Sequence, residues 1–364
     1  MKKIIIVAGD KSGDLYGGFL GQKLSEKSDE IEIYSFGGEK LAAHSKQLIN
    51  LLEHSVTGLV EVLFSLKKII ATFNQIITKI HEIKPDLIIL IDFPDFNLRL
   101  AKKLNKKYPL FYYVSPQVWA WRKERVKEIK KYVDKMVVIF NFEKDFYQKE
   151  GVDALYFGHP LLEIVKKTNP STQKIITLMP GSRRNEIKKH LPVMLAAAKI
   201  IKQALPDYNF RIIRPPNINK MFYKDLLSGM DIVDIEIKDH SYQAIEESAF
   251  VIASSGTTTV ELAILEVPFI LMYKVNSLSW FLVQRLVNVK FAGMVNILAG
   301  RKIIEEFLQD QASAENLAKA AIEVMKTKEK YNQIKTDLKN IKTILSPEGA
   351  TDSFARYIES FLKK

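Results

Sequence analysis

The chain has no cysteine, which excludes disulfides, thiolate metal sites and cysteine nucleophiles, and nothing in it calls for an oxidising compartment. A cytoplasmic address fits. It also lacks any uninterrupted apolar run of about 18 residues, the length a membrane-spanning helix requires. The run after Lys2 and Lys3 stops at Gly9 and Asp10, too short for a secretory leader, and reads as a buried strand. There is no GxGxxG turn and no evident ribose-binding acid at the second strand end, which counts against a nicotinamide-dependent dehydrogenase. Short-period repeats, low-complexity tracts and an evident metal-ligand cluster are missing too, so no metal and no cofactor is expected.

The 54 basic and 42 acidic residues leave a formal charge of +12, which favours an anionic partner such as a nucleotide or an anionic membrane. A nucleic-acid-binding protein would need a clustered basic face. Lys102, Lys103, Lys106, Lys107, Lys127, Lys130 and Lys131 are instead spread along helical segments, so no nucleic acid is expected. The 47% apolar and 26% charged shares are those of a folded enzyme. At 364 residues the chain exceeds the roughly 250–300 residues over which one core grows. Two domains, and a cleft between them, follow.

Strand patterns fall at residues 2–8, 31–36, 86–91, 109–114, 135–140 and 154–157, with helical segments between them. After a polar break at 168–173 the pattern restarts with strands at 174–178, 210–214, 232–237, 250–253 and 268–272. Strands that alternate with helices, the 86–91 run without period-two alternation, indicate parallel sheets covered on both faces. The expected fold is therefore α/β, with two Rossmann-like doubly wound domains at 1–165 and 166–345 facing a cleft. A C-terminal helix in 346–364, beyond the Ser346-Pro347-Glu348-Gly349 break, can pack back on the first domain.

Ligands of such sheets bind beyond the carboxyl ends of strands, where helix N-termini attract phosphate. GDKSGDLYGG (9–18) follows the first strand; Gly9 and Gly13 either admit a ligand or permit tight packing, and Ser12 or Asp14 can cap the helix. IDFPDFN (91–97) places two carboxylates around a proline. A carboxylate there can take a proton from a hydroxyl if burial raises its pKa, a role better suited to Asp92, while Asp95 and Asn97 suit helix capping. SPQVWAWRKERV (115–126) sets Trp119 and Trp121 beside arginines, a combination that binds planar or anionic ligands. In MPGSRR (179–184) a glycine turn leads into a helix, where Arg183 can grip phosphate. ASSGTTTVEL (253–262) offers Ser255, Gly256 and Thr257 at another such turn, with Glu261 deeper in the helix, placed to accept from ribose hydroxyls. NILAGR (296–301) is the weakest of these signals.

One stretch differs in kind. TGLVEVLFSLKKIIATF (57–73) is more apolar than one buried helix face requires. Val60, Val62, Leu63, Leu66, Ile69 and Ile70 suit contact with an anionic membrane or a lipid chain. Burial under a neighbouring element or at a homodimer interface is the alternative.

In order and spacing, GDKSGD, IDFPDFN, SPQVWAWR, MPGSRRNEI, SSGTTTVEL and NILAGR resemble the lipid A disaccharide synthases, glycosyltransferase family 19, over essentially the whole chain. The resemblance implies the GT-B fold and inverting transfer of 2,3-diacylglucosamine from UDP-2,3-diacylglucosamine to 2,3-diacylglucosamine 1-phosphate. The products are a β-1,6 disaccharide phosphate and UDP. It implies Asp92 as general base, Arg183, Ser255, Gly256, Thr257 and Asn296 around UDP, Glu261 at the ribose, and Ser12 and Gly13 in a loop facing the cleft. It also implies peripheral attachment to the inner face of the cytoplasmic membrane. Asp10 stands where the family's AGE-x-SGD motif has glutamate. A UDP-sugar 2-epimerase or another GT-B transferase is the nearest alternative, and it leaves the apolar helix without a purpose.

Overall fold

The computed structural model describes residues 1–28, 30–52, 61–228, 234–275 and 290–363, the side chains of 61–68 excepted. The chain forms two compact units, 1–163 joined by 347–364, and 164–346.

In the first unit the strands β1 (Lys2–Ala8), β2 (Ile31–Gly37), β3 (Lys46–Asn50), β4 (Leu87–Ile91), β5 (Leu110–Tyr113), β6 (Lys135–Val138) and β7 (Ala154–Tyr156) lie in the order β3-β2-β1-β4-β5-β6-β7. Each pairing is parallel, and Ile4 faces Leu87 while Ala8 faces Ile91. The runs IIIVA and LIILI are buried at every position, because helices cover both faces of a parallel sheet and branched side chains suit its pleat. Those helices are α1 (Lys11–Lys27), α2 (Glu39–Ala42), α3 (Glu61–Ile83), α4 (Pro94–Leu104), α5 (Val126–Tyr132) and α6 (Asn141–Lys149), with α7 (Leu161–Ile164) at the unit's boundary.

The second unit repeats the plan. Its strands β8 (Gln173–Met179), β9 (Asn209–Arg214), β10 (Ile235–Asp239), β11 (Ser248–Ser254), β12 (Phe269–Tyr273) and β13 (Glu306–Leu308) lie in the order β10-β9-β8-β11-β12-β13, again parallel. Its helices are α8 (Arg184–Ala204), α9 (Lys220–Leu227), α10 (Tyr242–Glu246), α11 (Thr258–Leu265), α12 (Met294–Ala299), α13 (Ala314–Lys326) and α14 (Lys328–Ile344). The last helix, α15 (Ala350–Leu362), belongs to the first unit. Phe354 and Phe361 hold it there, with ring centroids 4.9 Å from Tyr113 and Phe111 respectively.

The strands β3 and β13 are absent from the sequence reading. Both are short edge strands with no fully buried residue, so neither shows the apolar run that marks a central strand. The expected strand at 232–237 begins outside the described residues and continues as β10. The apolar helix read at 57–73 extends instead to Ile83, and 57–60 lie outside the described residues.

Strand order reverses once in each sheet, between β1 and β4 and between β8 and β11. At such a switch point neighbouring loops leave in opposite directions and open a crevice at the carboxyl edge. The loops at these two points contain the segments GDKSGD and IDFPDFN in the first unit, MPGSRR and SSGTTT in the second.

Candidate functional site

At the first switch point β4 ends in two consecutive left-handed residues, Asp92 with φ 44° and Phe93 with φ 48°. Side chains other than glycine rarely adopt this region, so the turn must be held. Two donors hold it. Asn97 on α4 gives its amide hydrogens to the carbonyls of Ile91 at 3.1 Å and Asp92 at 2.8 Å, and the Tyr112 hydroxyl donates to the Asp92 carbonyl at 2.6 Å. Pro94 then starts α4, where the missing N–H matters least. The backbone is thus pinned through its carbonyls and not through the Asp92 carboxyl.

That carboxyl is half-buried. Burial pushes its pKa up to about 8, the Asp10 charge and a hydrogen bond with Asp10 act in the same direction, and Glu143 adds to them, against the opposing Phe93 N–H. Two carboxyls in one site cannot both ionise readily, so Asp92 and Asp10 behave as a pair. Asp10 also caps α1, its Oδ1 accepting from the Gly13 N–H at 2.6 Å. The cap is therefore neither Ser12 nor Asp14. Asp14 instead accepts from the N–H groups of Gly38, Lys40 and Leu41 and closes the start of α2.

The two glycines of this loop are filled by protein. A Cβ on Gly9 would lie 2.1 Å from the Phe93 ring, and one on Gly13 would lie 2.9 Å from Asp10 Oδ1. Packing, not ligand approach, accounts for both. Ser12 is half-buried in the first turn of α1.

Glu143, which the sequence reading passed over, is fully enclosed on α6. Burial raises its pKa to about 7 against hydrogen bonds from Ser115 and Trp119, whose hydroxyl and indole N–H donate to Oε1 at 2.8 and 2.9 Å. Trp119 therefore serves this carboxyl. Trp121 stacks under the Arg122 guanidinium at 4.3 Å, and Arg122 and Arg125 both pair with Asp95. The SPQVWAWR segment is bound to protein partners rather than presented as an open aromatic platform. Asp95 is not a helix cap either; it sits exposed between those arginines.

At the second switch point Gly181 at φ 122° turns the chain into α8 and Gly256 at φ 151° turns it into α11, conformations open to glycine alone. Among the described residues, a Cβ on Gly256 would meet nothing within 4 Å. The backbone there lies open, beside half-buried Ser255 and exposed Thr257. Arg183 is the residue before α8, its side chain largely exposed and paired with Glu186 at 2.8 Å. The His190 ring, unremarked in the sequence, braces this loop: Nδ1 donates to the Pro180 carbonyl at 2.8 Å and Nε2 accepts from the Lys274 N–H at 3.0 Å. Glu261 lies buried on α11, 3.5 Å from the Tyr242 hydroxyl, and burial lifts its pKa to about 7.

Asn296 differs from expectation. It is fully buried, its amide donates to the Ile304 carbonyl and Glu306, and its oxygen accepts from the N–H groups of Ile303 and Ile304. Its capacity is saturated, so it shapes the 303–306 segment instead of reaching a nucleotide. Of the apolar set, Ile69 and Ile70 are 45% and 58% exposed on α3. Val60 and the side chains of Val62, Leu63 and Leu66 lie outside the described residues. Among those described, no helix is long and apolar enough to cross a membrane.

Comparison with known proteins assigns the class. The lipid-A-disaccharide synthetase family model matches residues 4–354. A lipid-A-disaccharide synthase of Syntrophus aciditrophicus is 34% identical, the match covering 100% of this chain and 98% of that protein. Lipid-A-disaccharide synthase 1 of Legionella pneumophila is 36% identical over 87% of this chain and 86% of its own length. Among solved structures, UDP-GlcNAc 2-epimerase of Neisseria meningitidis bound to UDP-GlcNAc gives a TM-score of 0.68 at 13% identity, covering 100% of both chains. The S. aureus MnaA–UDP structure gives 0.66 at 14%, covering 100% of this chain and 97% of that one. At such identities the structures show the fold, which is GT-B, and the sequence matches decide against the epimerase alternative. The chain belongs to the lipid-A-disaccharide synthase family and is a glycosyltransferase.

Proposed function

We propose that the protein transfers 2,3-diacylglucosamine from its UDP carrier to the 6-hydroxyl of 2,3-diacylglucosamine 1-phosphate, with one inverting displacement and release of UDP. The observation that carries the reading is Asp92: a carboxyl at a switch point, on a turn fixed by Asn97 and Tyr112, with its pKa raised toward neutrality. In that range it takes a proton from the attacking hydroxyl more effectively than an ordinary carboxylate.

The second unit supplies the donor grip. The first turn of α11, approached through Ser255, Gly256 and Thr257, offers N–H groups and a positive dipole end to the diphosphate, and Arg183 offers a guanidinium. Glu261 accepts from the ribose hydroxyls. With the departing charge met in this way, the step calls for no metal ion. Ser12 lines the acceptor side. Ile69 and Ile70, on a chain of charge +12, suit docking on the anionic inner face of the cytoplasmic membrane, where acylated substrates reside, better than a homodimer contact.

The test is mass spectrometry of the products formed from UDP-2,3-diacylglucosamine and the acylated monosaccharide phosphate. A disaccharide monophosphate with equimolar UDP is expected. Free sugar or a 2-epimer without disaccharide would overturn the reading.

A further inference from the structure

Glu143 is a titratable side chain that the proposed reaction leaves unused, and it is only 1% exposed. A carboxylate so enclosed needs donors on its oxygens. The Ser115 hydroxyl and the Trp119 indole N–H both donate to Oε1, and the Phe140 N–H donates to Oε2 at 3.3 Å. The Oε2 bond is local and closes the start of α6, where Glu143 is the third residue. The two on Oε1 come from the loop after β5, 28 and 24 residues away in the chain. Tyr147, one turn further along α6, grips the same loop, its hydroxyl donating to the Pro116 carbonyl at 3.2 Å.

That loop needs holding. It leaves β5 through Val114 at φ 62°, a left-handed conformation that a β-branched side chain keeps only under constraint, and Arg122 at φ 57° ends it. Both ends are fastened to the Asp92 turn. At the first, the Asp92 N–H donates to the Tyr113 carbonyl at 3.0 Å and the Tyr112 hydroxyl donates to the Asp92 carbonyl. At the second, Arg122 and Arg125 pair with Asp95, in the first turn of α4. The loop is an arch whose feet stand on the Asp92 turn and whose span is held by α6. Burial and Asp10 are the larger causes of the raised Asp92 pKa, and the Glu143 charge adds to them, so the two carboxyls lie within reach of one another's field.

We propose that Glu143 is a positioning residue for the transfer: through Ser115 and Trp119 it fixes the 114–122 arch, and with it the aim of the Asp92 carboxyl. The proposal rests on the reading of Asp92 as the base. Because Oε1 carries the arch and Oε2 the helix start, substitutions can separate the two. Glu143→Leu loses both. Glu143→Gln, with its amide oxygen at the Oε1 position, keeps the arch and loses the helix-start bond. Ser115→Ala combined with Trp119→Phe loses the arch and keeps the helix start.

The test uses the full chain, with kcat and both KM values measured above the acid limb of each variant's pH–rate profile and below its melting temperature, and UDP affinity by calorimetry. Glu143→Leu should lower kcat about 10²-fold, the effect of misplacing a reacting group by roughly 1 Å. Glu143→Gln should recover about tenfold of that loss. The Ser115→Ala/Trp119→Phe pair should lose about as much as Glu143→Leu, and it decides the matter if the leucine variant does not fold. Donor KM and UDP affinity should not move. Full kcat in folded Glu143→Leu, or in the double variant, would make Glu143 a structural residue only and overturn the proposal. An equal loss in Glu143→Gln and Glu143→Leu would overturn it too, because the charge and not the arch would then be responsible. Asp92→Asn measured alongside separates the two failures. Low kcat there with full kcat in the arch variants sinks the arch alone, whereas full kcat in Asp92→Asn sinks the base assignment and the proposal with it.

Discussion

The two units share a topology and build their switch points from opposite materials. After β4 the left-handed positions are Asp92 and Phe93, whereas after β8 and β11 they are Gly181 and Gly256. Left-handed side chains other than glycine are strained and must be held by neighbours, here by Asn97 and Tyr112. Left-handed glycines need no such support, and at Gly256 the backbone is left bare, whereas Gly181 packs against Glu186 and Ser254. The first arrangement aims a carboxyl; the second, at Gly256, presents a main chain. That contrast fits the base proposed for one unit and the diphosphate cradle proposed for the other.

The sharpest way to break the contrast is to remove the aimed side chain. Asp92→Asn should lower kcat by about 10²- to 10⁴-fold, the usual contribution of a positioned base, while UDP affinity measured by calorimetry stays the same. A stability signature accompanies it. A carboxyl whose folded pKa lies above its unfolded value binds more protons folded than unfolded across the interval between them, so its contribution to stability falls as pH rises through that interval. For Asp92 the interval runs from 3.8 to about 8. The asparagine variant should therefore melt at higher temperature than the wild type at pH 8 and at the same temperature near pH 3. Retained turnover would move the base elsewhere.

The converse experiment addresses the cradle. Arg183→Ala should weaken UDP binding about 10- to 100-fold, the value of a charge-assisted contact to phosphate, with no change in the pH dependence of turnover. If Arg183→Ala shifted the pH profile while Asp92→Asn weakened UDP, the assignment of chemistry to one unit and nucleotide to the other would be reversed.

The central strands were legible because IIIVA and LIILI carry continuous branched runs that only a doubly covered sheet can bury. The edge strands β3 and β13 were not, since an edge residue faces solvent on one side and its pattern dissolves into polar alternation. Loops that follow the strands at the reversals could be picked out by their Gly, Asp, Ser and Arg content. Their internal wiring could not. Asn97 looked like a helix cap and is a clamp on carbonyls; Asn296 looked like a nucleotide ligand and is saturated by its own loop. An asparagine's role depends on which groups the fold brings within 3 Å, and those are set by backbone torsions that the local sequence does not encode. Glu143 and His190 escaped notice for the same reason, because burial and partners distant in sequence make them significant.

Asp10 tests the finest level of the comparison. Its carboxyl does two things, accepting the Gly13 N–H as the cap of α1 and raising the pKa of Asp92, and asparagine separates them. An asparagine side chain still accepts at an N-cap, so Asp10→Asn should fold as the wild type does and bind UDP with the same affinity. What it removes is the second charge. Burial remains the largest cause of the raised Asp92 value, so the value should drop by about one to two units rather than return to that of a free carboxyl. A base works in its deprotonated form, and the acid limb of the pH–rate profile should accordingly move to lower pH by the same amount. Asp10→Ala should move the limb similarly and also lower the melting temperature by loss of the cap. If instead the asparagine variant leaves the limb in place, Asp10 is only a cap, and the pairing of carboxyls that distinguishes the first switch point from the second has no part in the chemistry.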